Sequence, residues 1–583
     1  MTVVLTALKQ LDQRLHQNRN SEPSQLQTRI VLFVALVCGV FMASVALRQS
    51  GPTVHPDEWG FLSNGQVLIG HTEAPIPTGS FYPAGYGLIT GLGALLTGSL
   101  HGAYRFALLA NVVLAIATAW FAGRLAVRGF GASKLMGRVV SGLVFMLPGT
   151  IVTAMFAWPE TASRLAFLVF ISLVVSVTKS RSMIHVVGLG LFTGLMPALH
   201  GRFTLLIPVI GAIFLWWGIQ RLISRPVAVL AIFVTAIGYE SSHFLNQFVK
   251  RSLYGASYDQ ESRLLRRLFD PTVWPALLRT MAGQTWYLTA TSCGLVGVGI
   301  AFAIHRIRTE GGARTVSSDP QRLGLLVLLV SSLLVIFTGG LQLLYGARGD
   351  HLIYGRYVEI LVPALLVIAC VGIEKSFVLA QRAWLLTGVF VGALSLLYVL
   401  IDGGDGVKGG YIRNDIVFPN IVGTDVLRYL VTPGIVTFGA VFVMAALVLW
   451  TLTRRHGSWS IVVLAVALGL GSMYSGSRSI LSRTDDLVAT KQTLAKVQES
   501  GTQLVGFDMG VRNDRSYYYL RYKLHPIKLV RFDISGPDAV IPATYNCVYG
   551  MPNRPPTDGQ WTIVADEVVL QRVLFQRVGT THC

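Results

Sequence analysis

The chain has 583 residues, of which 52% are hydrophobic and only 13% charged, with a mean hydropathy of +0.57. Soluble domains carry about 25% charged residues, so the composition excludes a water-soluble enzyme, and it excludes disorder, which needs low hydrophobicity and high charge. Lys and Arg outnumber Asp and Glu by 48 to 29, for a net +19, yet no basic block interleaved with aromatics lies in a soluble stretch, so nucleic acid is not an expected partner.

In chain order, residues 1–29 form a tail with Leu5, Leu8, Leu11 and Leu15 at helical spacing. That pattern suits a short helix on the cytoplasmic leaflet, and a plain solubilising tail equally well. Its apolar run starts too late, and lacks a following cleavage site, for a signal peptide. From residue 30 to 474, apolar runs recur at 30–48, 104–123, 139–157, 162–178, 184–198, 204–219, 226–242, 286–304, 323–343, 357–373, 384–401, 435–453 and 459–474. At about 20 residues per crossing this predicts about thirteen spans. The Gly- and Pro-rich stretch 82–99 is read as a helix lying at the membrane surface.

Loop charge sets the orientation. With the N-terminus cytoplasmic, the inside loops hold Arg124, Arg128, Lys134 and Arg138, then Lys179 and Arg181, then Arg221 and Arg225, and the later inside loops are basic too, where they meet anionic membrane lipids. The first outside loop, 49–103, has no Lys or Arg but holds Asp57, Glu58 and Glu73. Thirteen crossings then put residues 475–583 outside. In that region 486–499 and Arg515–Lys523 are expected as helices, and Gln503–Phe507, Ile527–Phe532 and Trp561–Ala565 as strands, a small α/β unit with no phosphate-binding glycine pattern. The predicted fold class is therefore mainly α: a polytopic helical membrane domain followed by a small external α/β domain. Tyr517 to Tyr519 could stack on sugars there or pack in its core. Cys547 and Cys583 could form one disulfide if the region faces an oxidising compartment, or remain thiols, while Cys38, Cys293 and Cys370 lie in apolar runs as small buried hydrophobes. Of the 48 basic residues 38 are Arg, and no N-x-S/T sequon occurs; both favour a bacterial plasma membrane.

Chemistry is concentrated after the first span, in Thr53-Val54-His55-Pro56-Asp57-Glu58-Trp59-Gly60-Phe61. An acidic pair in an outer loop is commonly only a solvated surface. Here no basic residue in the loop is available to pair with it, Phe81-Tyr82-Pro83-Ala84-Gly85-Tyr86 follows, and Tyr104-Arg105 opens the next span. Further outer-end arginines are Arg202 in His200-Gly201-Arg202, Arg348 in Gly346-Ala347-Arg348, and Arg356 in Tyr354-Gly355-Arg356-Tyr357. Each could simply snorkel to the interface. His200 and His351 are single imidazoles, more simply read as structural hydrogen-bonding groups. His55, two residues before Asp57, could help seat one divalent ion, but no dedicated metal spacing occurs and metal dependence is left open.

This ordering resembles the glycosyltransferase C superfamily, polytopic enzymes that take a sugar from a polyprenyl phosphate on the outer face. The resemblance rests on the acidic pair, the Tyr82–Tyr86 segment, Tyr104-Arg105 and Trp158-Pro159-Glu160, and covers about residues 30–165. It departs in His55-Pro56 before the pair and in Pro-Ala-Gly-Tyr where many relatives have Lys-Pro-Pro. It implies Asp57 as general base, with Glu58 orienting the acceptor or holding a metal. It also implies a lipid-phosphate leaving group met by guanidinium donors from Arg105, Arg202, Arg348 and Arg356, with His200 beside them. His55, Tyr82, Tyr86, Glu160 and Tyr354 are the expected substrate contacts. The expected partners are a polyprenyl-phosphate sugar donor, arabinofuranose or mannose, and a glycan or glycolipid acceptor of the cell envelope, with the external domain on the acceptor. A secondary transporter, a polyprenyl-linked glycan ligase or polymerase, and a wall-binding scaffold remain the competing readings. A transporter would show paired interrupted helices and mid-membrane charges, and the Asp-Glu loop speaks for a transferase over a ligase.

Overall fold

The computed structural model describes residues 22–49, 51–52, 56–71, 81–253, 260–309, 313–344, 354–402, 458–477, 491–510, 515–536, 539–568 and 571–583. Residues 3–16, expected as a helix or a plain tail, the run 435–453, His55, Glu73, Arg348 and His351 lie outside them. The molecule is mainly helical, with a five-stranded sheet near its C-terminus. Seven helices among the described residues are long and apolar enough to cross a membrane, and a bent pair makes an eighth.

Helix α1, Gln25–Arg48, starts where Ser24 caps it: the Ser24 hydroxyl accepts from the Gln27 amide and the Gln27 carboxamide accepts from the Ser24 amide. Helix α2 is Pro56–Leu68, α3 is Gly87–Thr97, and α4 is Leu100–Arg124, capped by Ser99. The Asp57-Glu58 pair thus stands in the first turn of a helix rather than in a loop, where the free amides favour carboxylates. The expected surface helix 82–99 becomes a 3-10 turn, Ala84–Tyr86, followed by α3, which packs between α2 and α4. Gly65 and Gly91 let α2 and α3 touch backbone to backbone: a Cβ on Gly65 would lie 2.6 Å from the Gly91 nitrogen.

Two expected single spans are broken. The run 139–157 divides into α5, Lys134–Phe145, and the short α6, Pro148–Thr153, because Pro148 cannot continue the first helix. The run 286–304 divides into α12, Trp274–Thr291, and α13, Leu295–Arg308, which meet at 105°. Cys293 and Gly294 there have φ of +48° and +84°, and a Cβ on Gly294 would lie 2.7 Å from the Trp384 ring. The other apolar runs also form helices: α7 Glu160–Ser180, α8 Met183–Leu195, α9 Leu206–Ile219, α10 Arg225–Leu253, α15 Pro320–Leu343, α16 Val362–Lys375, α17 Phe377–Asp402 and α18 Ser458–Gly476. Of these, α8, α16 and α18 are not among the helices long and apolar enough to cross, so the expected thirteen crossings are not reached among the described residues. Between them lie α11, Gln260–Phe269, and α14, Ala313–Ser318, neither foreseen from hydropathy.

The C-terminal unit contains α19 (Lys491–Ser500), β1 (Leu504–Asp508), α20 (Arg515–Leu524), β2 (Lys528–Phe532), β3 (Cys547–Gly550), β4 (Trp561–Glu567) and β5 (Arg572–Arg577). The sheet order is β2-β1-β3-β5-β4; β1 is parallel to β2 and β3, and the β3-β5-β4 half is antiparallel. A disulfide joins Cys547 to Cys583, with Cα atoms 5.0 Å apart. Tyr517 and Tyr519 are buried; Tyr517 stands edge-on to Phe507 at 5.1 Å, so their rings belong to the core of the unit.

Candidate active site

The first turn of α2 aims its two carboxylates in different directions, as successive helical residues must. Glu58 turns inward and is fully buried; it accepts from the Ala157 amide at 2.9 Å and the Tyr104 hydroxyl at 3.3 Å. Those donors pin α2 to α4 and to the segment before α7. Asp57 stays partly exposed, accepts from the Tyr82 hydroxyl at 2.8 Å and forms an ion pair with Arg356. The Phe81–Tyr86 turn is held in turn by Asn64, whose amide donates to the Tyr82 carbonyl at 2.8 Å.

Arg356 is the hub. Its Nη1 meets Asp57, its Nε meets Glu160 in the first turn of α7, and its guanidinium lies 3.9 Å from the centre of the Trp158 ring. Burial alone would weaken its charge, but the Glu160 and Asp57 carboxylates outweigh that and hold its pKa well above the ordinary arginine value. Beside it, Arg202 stacks on Tyr357 at 3.2 Å and lies 3.0 Å from His200 Nε2. Tyr354 packs edge-on to Tyr357 at 4.5 Å. The chain thus brings together Asp57, Glu160, Arg202, Arg356, His200, Tyr82 and Tyr354 from segments up to 299 residues apart.

Three expected site residues stand elsewhere. Tyr86 is fully buried and its hydroxyl donates to Asn111 at 3.1 Å, so it braces the wall behind the site. Glu58 is in the same wall. Arg105 is exposed near the start of α4, where its charge acts on His101 and Lys523.

Behind Arg356 runs a second polar layer that the sequence reading missed. Arg164 donates to Thr153 at 2.6 Å and faces Glu359 at 3.8 Å, and Glu359 accepts from the Tyr287 hydroxyl. Both charges are buried inside apolar runs. The signal was available: an ionisable residue inside a membrane run marks function by default, and Glu160 and Arg164 share a face at i, i+4.

An apolar groove of about 910 Å³ opens between α3, α8 and α10, lined by Leu88, Leu195, Leu199, Phe233 and Phe244. Its lining includes Ala198 and Leu199, the two residues before His200 in the chain, while Asp57, Glu160, Arg202 and Arg356 are not among its lining residues. On the other side, α20 of the C-terminal unit covers the start of α2 and α4: Arg521 lies 5.3 Å from the Trp59 ring, and Tyr522 bonds to His101 and packs on Tyr104 at 5.8 Å. Among the described residues no three His, Cys, Asp or Glu side chains converge to hold a metal ion.

No protein-family model and no curated protein matches the chain. Among solved structures, ArnT from Cupriavidus metallidurans bound to undecaprenyl phosphate aligns over 95% of this chain and 99% of its own, at 14% identity and a TM-score of 0.52. Its apo state aligns over 95% and 98%, at 15% identity and a TM-score of 0.49. The likeness is one of fold, a polytopic helical domain with a small α/β unit after it.

Proposed function

We propose that the chain is a membrane glycosyltransferase that moves a sugar from a polyprenyl-phosphate donor to an acceptor hydroxyl on the outer face of the membrane. The observation that carries this reading is the cluster of Asp57, Arg356 and Glu160, with Arg202 beside it, in a molecule whose apolar groove has Leu199 in its lining, three residues before Arg202. A long isoprenoid tail needs the groove, its phosphate needs the guanidiniums, and the transferred sugar needs a carboxylate base beside both. The fold likeness to a protein whose structure holds undecaprenyl phosphate supports the same ligand class.

In this reading the acceptor hydroxyl attacks the anomeric carbon and its proton passes to Asp57. The bond from that carbon to the phosphate oxygen breaks, and the leaving polyprenyl phosphate takes the electron pair. A positioned base contributes about 10² to 10⁴ in rate, or about 3–5 kcal/mol. The charge growing on the phosphate is met by Arg356 and Arg202, with His200 as a neutral neighbour and Arg348 as a further contact. Arg356 also holds the base: while paired to it, one Asp57 oxygen is occupied by the guanidinium. A donor phosphate competes for that guanidinium and frees the Asp57 oxygen for the acceptor hydroxyl when the substrate is in place. Glu58 acts as a positioning residue, and Tyr82, Tyr354 and Glu160 border the sugar.

The finer assignments belong to the same proposal: arabinofuranose or mannose as the sugar, a cell-envelope glycan as acceptor, and a bacterial plasma membrane as the location. The chain divides into a cytoplasmic tail (1–29), a transferase domain (30–474) and an extracytoplasmic acceptor-recognising domain (475–583). The disulfide supports an oxidising side for the last. The test gives purified protein polyprenyl-phosphoryl arabinofuranose and polyprenyl-phosphoryl mannose separately, with a wall oligosaccharide. Transfer from one of them, abolished by Asp57→Asn, is the expected result; transfer only from a nucleotide sugar overturns the lipid-donor reading.

A further inference from the structure

Arg105, one helical turn after His101 on the same face of α4, and Lys523 stand on the two sides of the seam between the membrane helices and the C-terminal unit, near enough that the Arg105 charge acts on Lys523. Arg105 lies on the first turns of α4 and Lys523 near the end of α20. Neither makes an ion pair among the described residues. His101 is tied to Tyr522, and His101, Lys523 and His525 line one cavity there. Two fixed cations and two imidazoles thus share one seam with no compensating carboxylate bonded to either cation.

A cavity of about 220 Å³ opens here, lined by Ser99, Leu100, His101, Tyr522, Lys523 and His525. That leaves room for a phosphate group and several waters. Its floor is the start of the 25-residue α4, where Ser99 takes the Gly102 amide through its hydroxyl and the Ala103 amide through its carbonyl. The Leu100 and His101 amides remain at the positive end of the helix, beside the cavity. Partial burial and the nearby Arg105 charge lower the Lys523 pKa below that of an ordinary lysine. Two like charges held together are a cost that an anion between them would remove.

We infer that this seam is a second anion site, distinct from the Arg202–Arg356 pair, and that it binds a phosphomonoester group through Arg105, Lys523 and the first turn of α4. The inference does not depend on the transferase reading. A phosphate there would bridge the two parts of the chain, since α4 belongs to the membrane helices and Lys523 to the C-terminal unit. The group could arrive on a lipid headgroup or as free phosphate.

The test titrates inorganic phosphate into the full-length protein in zwitterionic detergent and reads thermal stability, with chloride at matched ionic strength as control. A saturable rise in Tm is expected. Its midpoint should weaken at least about tenfold in R105Q/K523Q, the loss of a charge-assisted bond or more, and return in R105K/K523R. Arg105 is exposed, so R105Q alone carries the test if the double variant does not accumulate. A second arm repeats the titration in phosphatidylcholine nanodiscs with and without phosphatidic acid. A weaker phosphate midpoint with phosphatidic acid assigns the site to a lipid headgroup, and an unchanged one assigns it to soluble phosphate. Equal midpoints for wild type and R105Q, or no saturable effect in either arm, overturn the inference.

Discussion

Asp57 and Glu58 are adjacent in sequence but differ in environment, and that difference makes their substitutions distinguishable. Asp57 is partly exposed and bonded to Tyr82 and Arg356; Asp57→Asn keeps size and one acceptor oxygen, loses the ion pair, and leaves Glu160 to compensate Arg356, so thermal stability should fall only modestly. Turnover in the transferase assay should fall by about 10² or more. Tyr104→Phe does the reverse. It removes a donor from the buried Glu58 carboxylate, costs about 1–3 kcal/mol, and should appear first as a lower melting temperature in detergent. Arg356→Lys is a third case. A lysine cannot span both Asp57 and Glu160 with a planar fork, so KM for donor should rise more than KM for acceptor. Equal changes in both would remove Arg356 from the donor phosphate.

At the scale of elements, hydropathy located the long helices well because an apolar run has few other ways to satisfy its backbone in lipid. Breaks were less legible. Pro148 was visible but lay inside an apolar run, and the bend at Cys293-Gly294 depends on a Trp384 ring that approaches from 90 residues away. Gly294→Ala should cost about 1 kcal/mol or more, since it forces positive φ on a side chain with no room; an unchanged melting temperature would mean the break moves freely. In the C-terminal unit, β3 and β5 escaped notice because short strands among turns have little periodicity. Their partner, the Cys547–Cys583 bridge, closes a loop of 36 residues, so replacing both cysteines by Ser should lower the stability of that unit by about 4 kcal/mol. The acidic pair, the Tyr82 turn and the outer arginines were legible as residue types. Their convergence on Arg356 was not, because nothing in a sequence reports that residue 57 meets residue 356.

For the molecule as a whole, the proposed orientation rests on loop charge, with basic loops assigned to the inside and the acid-only stretch 49–103 to the outside. Periplasm-active reporters fused at residues 60 and 480 should both be active and one at 315 silent; activity at 315 would invert the scheme. The docking of α20 on α2 and α4 makes the C-terminal unit part of the wall of the site. A truncation after residue 477 should therefore lose transfer to a polymeric acceptor even where the membrane helices still fold, and full activity on that acceptor would rule out its role.

If Arg202 and Arg356 hold the donor phosphate as proposed, their charge has a kinetic consequence. A sugar-loaded polyprenyl phosphate is a diester with one negative charge, and the lipid left after transfer is a monoester that approaches two. Two guanidiniums would hold the spent lipid more firmly than the fresh one. Release of the spent carrier would then limit the steady state, and added polyprenyl phosphate would act as a competitive inhibitor against donor. Its grip weakens as pH drops through the second phosphate ionisation near 6. In a membrane where the carrier is recycled, the balance of spent to loaded lipid would throttle the reaction without any regulatory partner.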